Sequence, residues 1–253
     1  MAEEQKQSQF PSEMIDLPSG GKLYPEGSPL RSGKIEIKYM TAREEDILTS
    51  QNLIKKGLVV DRLLDSLILT PGIKCNDLFL GDKNAVMVAA RILAYGPEYE
   101  CEITNPNNGN QFKYTFNLAD CPFKKLPKDI KENNFEIKLP VSKTTLTFKL
   151  LTGHEEEKIA NELEASKKVN SQVSPELTTR LRYTVKSVDG DESQSTINNF
   201  VQNMLARDSM VLRQEINQVT PDIDLTQEID IEGESVKVNI PMTVTFFWPA
   251  VEG

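Results

Sequence analysis

Hydrophobic and polar positions alternate from Lys34 to Met40 and again from Thr145 to Leu151, and each run ends in a bulky apolar pair, the pattern of a half-buried strand. In both places a Thr-x-x-Glu follows at once, Thr41 with Glu44 and Thr152 with Glu155. That spacing is a capping box, in which threonine and glutamate satisfy the orphan amides of a helix's first turn. KIEIKYMTAREEDIL (Lys34 to Leu48) and TLTFKLLTGHEEEKI (Thr145 to Ile159) therefore both predict strand, tight turn and helix, at a displacement of 111 positions. Capping boxes are common, so this match alone is weak. A second one strengthens it: Asp82 to Leu93 and Asp208 to Val219, displaced by 126, each read as an Asp N-cap followed by apolar residues at helical spacing. Each helix then runs into a predicted hairpin, Cys101 to Phe116 and Glu228 to Phe246.

The order of these matches predicts an α+β fold of two related strand–helix–helix–hairpin units, residues 33–121 and 135–253. Within them, Val59 to Leu69 places Leu63, Leu64, Leu67 and Ile68 on one helical face, and Ile197, Phe200, Val201, Met204 and Leu205 form another such stripe. Leu177 to Val188 reads both ways: Ser174-Pro175 suits a helix start, while Leu181, Tyr183 and Val185 alternate like a strand. Asp189-Gly190 marks a turn. Residues 122–134, with Pro122, Pro127 and several lysines, read as the linker.

Residues 1–32 are dense in Gly, Pro and Ser and carry apolar side chains without periodicity, which predicts an extended arm. Phe10, Leu17, Leu23 and Tyr24 can be buried there only by lying across another surface, either a partner or the body of this chain. Phe246, Phe247 and Trp248 cannot all face one core if they lie on an alternating strand. One of them is then expected in a groove or against a partner, unless Phe246 and Trp248 enter the core and Phe247 caps a helix. The candidate partner-binding residues are accordingly Phe10, Leu17, Leu23, Tyr24, Phe247 and Trp248.

Composition narrows the function classes. At 253 residues, 38% hydrophobic and 26% charged, the chain can bury a sizeable core. No apolar run approaches the roughly 20 residues of a membrane span, and MAEEQKQSQF lacks the features of a secretory signal, so the expected location is the cytoplasm where the chain is made. Three cysteines, Cys75, Cys101 and Cys121, suggest reduced thiols rather than a disulfide framework. A net charge of −9, with no basic face concentrated along the sequence, argues against nucleic acid and for protein partners.

Catalytic chemistry finds little support. The only histidine, His154, falls in the first turn of a predicted helix, ordinarily an exposed polar position, and no phosphate-binding glycine spacing occurs. Glu44, Glu45, Asp46 and Glu155 to Glu157 suit the positive end of a helix better than an acid/base pair. The hairpins have the frame of zinc ribbons, but Cys101 stands alone and the second hairpin has no cysteine. No catalytic residue, cofactor, metal or small-molecule substrate is expected.

LPSGGKLYP (Leu17 to Pro25), YMTAREEDIL (Tyr39 to Leu48), RLLDSLI (Arg62 to Ile68), ILAYGPEYE (Ile92 to Glu100), MLARDSMVLRQEI (Met204 to Ile216), PDIDL (Pro221 to Leu225) and FFWP (Phe246 to Pro249) resemble the baseplate-hub family of T-even-type contractile-tailed phages. The resemblance implies a non-enzymatic hub subunit or hub-assembly chaperone that contacts other hub or tail proteins, in the host cytoplasm during assembly and in the virion tail. It also implies that Asn105 to Gly109 and Glu232 to Glu234 mark zinc ribbons that have lost their metal ligands. A hub-associated cell-wall hydrolase and a generic protein-binding module are the alternatives.

Overall fold

Ile35 and Ile37 point inward from one face of a five-residue strand, and that alternation seeds the first unit. The computed structural model describes residues 11–105, 108–169, 174–231, 233–242 and 244–247. Strands β1 (Ser12–Asp16) and β2 (Lys34–Lys38) pair antiparallel, with Ile15 opposite Ile35. Helices α1 (Ala42–Thr49), α2 (Gln51–Lys55) and α3 (Val59–Leu67) follow, and α3 buries Leu63, Leu64 and Leu67 completely on the face that its 3.6-residue period aligns. Ile68 then bridges back to Ile37, so the chain re-joins β2 on its free edge. Helix α4 (Leu80–Tyr95) ends at Gly96, whose φ of 85° favours glycine, and Pro97 starts the hairpin β3 (Glu98–Thr104) and β4 (Gln111–Asn117).

The second unit follows a similar order, with a strand (Val185–Val188) and a helix (Gln194–Gln202) added before its last long helix. After β5 (Phe123–Lys124) come β6 (Phe135–Lys138), β7 (Thr145–Phe148), α5 (Gly153–Val169), α6 (Glu176–Thr184), β8 (Val185–Val188), α7 (Gln194–Gln202) and α8 (Ala206–Val219). The chain then forms β9 (Asp222–Ile223) and the hairpin β10 (Thr226–Ile231) and β11 (Glu234–Asn239). The described residues thus hold eight α-helices and several small antiparallel sheets, an α+β fold. The segment that read two ways is both: helix to Thr184, strand from Val185. Its turn has Asp189 and Gly190 at φ 49° and 85°, as a two-residue turn with both centres left-handed requires.

Two carboxylate locks recur at equivalent places. Glu44 Oε2 accepts from the Thr41 amide (3.0 Å) and hydroxyl (2.7 Å) while Oε1 accepts from Lys38 Nζ (2.7 Å). Glu155 Oε2 accepts from the Thr152 amide (2.8 Å) and hydroxyl (2.5 Å) while Oε1 accepts from Lys149 Nζ (2.6 Å). Burial pushes both carboxyls up, but these hydrogen bonds, joined at Glu44 by Ser66, outweigh it and hold each at about 2 against an ordinary 4.5.

The second lock corrects an expectation. Asp82 and Asp208 are not N-caps; Phe79 and Leu205 hold those places, and both aspartates sit three residues further in, fully buried. Their carboxylates reach away from their own helices. Asp82 takes the Ser19 amide (2.9 Å), the Ser19 hydroxyl (2.7 Å) and the Tyr24 hydroxyl (2.7 Å). Asp208 takes the amides of Val141 (2.8 Å) and Ser142 (2.9 Å), in the turn between β6 and β7. Each aspartate therefore ties the last long helix of its unit to the turn of that unit's first hairpin.

This tie also explains the N-terminal segment. Residues 12–32, expected within an extended arm, supply β1 and a long hairpin loop, because Leu17, Leu23, Tyr24 and Leu30 bury in the core of the chain itself. Gly21 and Gly33 permit it, since a Cβ on Gly21 would lie 2.5 Å from Arg31 O and one on Gly33 would lie 2.8 Å from the Gly20 carbonyl carbon. The C-terminal expectation changes too. Strand β11 stops at Asn239, and Val244–Phe247 forms a 3₁₀ turn in which alternation does not apply, so Phe246 and Phe247 are both fully buried.

The units meet through close backbone approach. Phe79 bridges Thr152, and the Gly153 amide donates to Leu78 O (3.0 Å). A Cβ on Gly153 would lie 2.6 Å from Asn76 Cα, and one on Gly81 would lie 1.9 Å from Pro221 O. The segment expected to be only a linker adds to this junction through β5, which pairs with β9.

Two outcomes follow for stability. Glu44 and Glu155 bind fewer protons folded than unfolded between pH about 5 and about 2, so they contribute stability above the unfolded value of 4.5 that is lost as pH falls toward 2. Denaturation series should show a loss on the order of 3 kcal/mol per carboxylate across that window. A Glu44→Gln, Glu155→Gln double variant should be weaker at pH 7 and flatter below it; an unchanged slope would mean the locks are not formed. Gly81→Ala should destabilise by about 3 kcal/mol through overpacking, although alanine is the better helix former. Arg207→Gly, at the matching position of α8, should cost only about 1 kcal/mol in a thermal melt.

Candidate protein–protein interface

Internal duplication lets one unit report on the other. The start of α4 is partly covered by the second unit: Phe79 is 4% exposed and Asn84 Nδ2 donates to Asp222 Oδ1 at 3.1 Å, while Leu80 between them is 53% exposed. A shift of 126 positions maps Phe79 and Asn84 onto Leu205 and Met210, which are 49% and 44% exposed. Val141, whose amide is held by Asp208 beside them, is 44% exposed. Three of the seven large hydrophobic side chains exposed among the described residues thus lie at the start of α8 and in the β6–β7 turn that Asp208 joins to it. In the first unit the positions that match Leu205 and Met210, Phe79 and Asn84, touch the second unit.

The complement of that face is also known from within the chain. It consists of the Thr152–Gly153 start of α5 and the Pro221–Asp222 segment, which approach so closely that only glycine fits at 81 and 153. At the matching positions stand Arg207 and Ala42. Repeating the junction between two copies would place the Cβ atoms of Arg207 and Ala42 where the internal junction has glycine.

Of the residues expected from sequence to hold a partner, Phe10 and Trp248 lie outside the described residues. Leu17, Leu23, Tyr24 and Phe247 are 1–4% exposed and pack inside the chain, so the intramolecular strap describes their setting. Tyr24 packs against Phe79 with the rings tilted and centroids 4.8 Å apart, donates to Asp82 and accepts from the Phe79 amide at 3.2 Å. Burial, with Asp82 alongside, pushes its phenol far up, so it stays protonated. Phe246 meets Tyr99 and Phe247 edge-on, and its carbonyl accepts from the buried Arg91, which also donates to Gly96 O and Glu98 O.

The equivalent lysines Lys38 and Lys149 were not singled out from the sequence, although the aligned strands carry them at one position. Leu205 was placed on a helical stripe, whereas it precedes α8 and faces out. Candidate reactive groups are occupied or suppressed. His154 Nε2 lies 2.9 Å from Asp77 Oδ1 across the unit junction. Burial pushes the Cys75 thiol to about 12 and, more weakly, Cys101 to about 11, which disfavours thiolate. Asp61 pairs with Lys83 and Glu156 with Arg180. Among the described residues no group of three or more His, Cys, Asp or Glu side chains is placed to hold a metal ion, and no helix is long and apolar enough to cross a membrane.

Comparison with known proteins adds one finding. The family model described as T4 bacteriophage base plate protein matches residues 11–248, nearly the whole chain. No curated protein and no solved structure matches. An α+β chain matched by that model over residues 11–248 belongs to the T4 bacteriophage base plate protein family.

Proposed function

We propose that this baseplate protein is a non-enzymatic hub component or hub-assembly chaperone that works by docking other hub or tail proteins. The observation that carries the reading is the exposure of Leu205, Met210 and Val141 in the second unit, where the positions matching Leu205 and Met210 in the first, Phe79 and Asn84, already contact protein. Exposed apolar area of this kind marks association surfaces, and a face whose twin already binds protein has the shape for it. The partner is a different protein rather than a second copy, because Arg207 and Ala42 replace the two glycines that the internal junction needs. Docking takes place in the host cytoplasm while the tail is built, and the virion baseplate is where the docked protein ends.

The test is complementation of a phage that lacks the gene. Leu205→Glu with Met210→Glu changes exposed positions, so the variant should melt within about 0.5 kcal/mol of the parent. It should nevertheless lower the yield of tailed particles by at least about tenfold, the usual consequence of charging the centre of an interface. A variant that restores full yield overturns the proposal.

A further inference from the structure

The chain carries nine more negative than positive charges, and no basic face is evident along the sequence. Folding makes one. The loop between β1 and β2 lies against the segment after β5, and between them runs a groove of about 610 Å³ lined by Lys22, Lys34, Lys125 and Lys128 with Asp16 as its only carboxylate. Asp16 is occupied by Lys34 at 2.9 Å. Among the described residues no carboxylate pairs with Lys22, Lys125 or Lys128; Lys22 Nζ reaches only Lys128 O, at 3.5 Å.

The walls are fixed in place. Arg31 donates to Tyr24 O at 3.0 Å on the loop and to Lys131 O at 3.3 Å on the facing segment, so one guanidinium spans both. Leu17, Pro18 and Leu126 are buried beneath the groove, Phe123 is half-buried in it, and Pro127 is exposed at its edge. An apolar floor with ammonium groups along the rim suits a chain that presents apolar and acidic side chains together.

We infer that this groove binds an extended acidic segment of a partner protein, one with apolar side chains between its carboxylates. The site is separate from the Leu205–Met210 face and extends the proposed function with a second contact of different chemistry. Nucleic acid also carries negative charge, but the apolar floor contributes nothing to a phosphate backbone, and the rest of the acidic surface repels a long polyanion. The lysines supply attraction and register, while the floor supplies the desolvated anchor.

The experiment is fluorescence anisotropy on the full-length chain with a labelled glutamate-rich peptide carrying leucine at every third position. Saturable binding is expected, weakened at least about tenfold by Lys125→Glu with Lys128→Glu and also weakened by added salt. Both positions are exposed, so the variant's thermal melt should match the parent and exclude misfolding. The Leu205→Glu, Met210→Glu variant should bind the peptide as the parent does, which keeps this test independent of the hub-docking reading. Absence of saturable binding, unchanged affinity in the lysine variant, or equal binding of single-stranded oligothymidine would each overturn the inference.

Discussion

Buried carboxylates constrain this fold more than any other interaction. An ionised side chain out of water costs several kcal/mol unless donors surround it, and Glu44, Asp82 and Asp208 have no side-chain or residue exposure to speak of. Their donors come from elsewhere in the chain. Asp82 collects Ser19 and Tyr24 from about sixty residues away, and Asp208 collects Val141 and Ser142 from a similar distance. Helix and hairpin turn must therefore form together or leave a charge stranded. The two locks differ in charge balance: burial drives Asp82 up despite its three donors, whereas at Asp208 burial is outweighed by two backbone amides and the carboxyl is lowered.

Because the locks occur twice, the differences between the units become informative. Each unit orients its last long helix against its own first hairpin in the same way, so the surface around Phe79 and the surface around Leu205 are equivalent in origin. What separates them is small: glycine at 81 and 153, arginine and alanine at 207 and 42. Glycine lets the units approach until backbone meets backbone at Pro221 and Asn76. The larger residues keep the second face open to a partner of another shape. A duplication that repeated all four residues would leave a self-complementary end on every molecule and the means to polymerise.

Local signals were legible in the sequence and long-range ones were not. The capping boxes at Thr41 and Thr152 involve residues three apart, and the helices that follow them formed as read. Asp82 and Asp208 were recognised as a repeated pair, but their roles depend on amides far away, so the N-cap reading placed the helix starts too late. Strand β1 escaped notice for the same reason, since Met14 and Ile15 gain a ladder only once Glu36 and Ile35 lie opposite. The buried setting of Phe246 and Phe247 was obscured by assuming a strand where a 3₁₀ turn forms. Net charge, an average over the chain, concealed a lysine groove assembled from two segments about a hundred residues apart.

The central claim is that the second unit's exposed face is covered when the protein works. Hydrogen exchange followed by mass spectrometry, comparing the free chain with the chain docked on assembling baseplates, tests it most directly. The account predicts slowed exchange on docking in 202–210 and 139–143. Residues 76–84, already covered by the second unit, should be protected in the free chain and unchanged. If 202–210 and 139–143 exchange equally fast in both states while protection rises elsewhere, the face is not the interface and the account is contradicted.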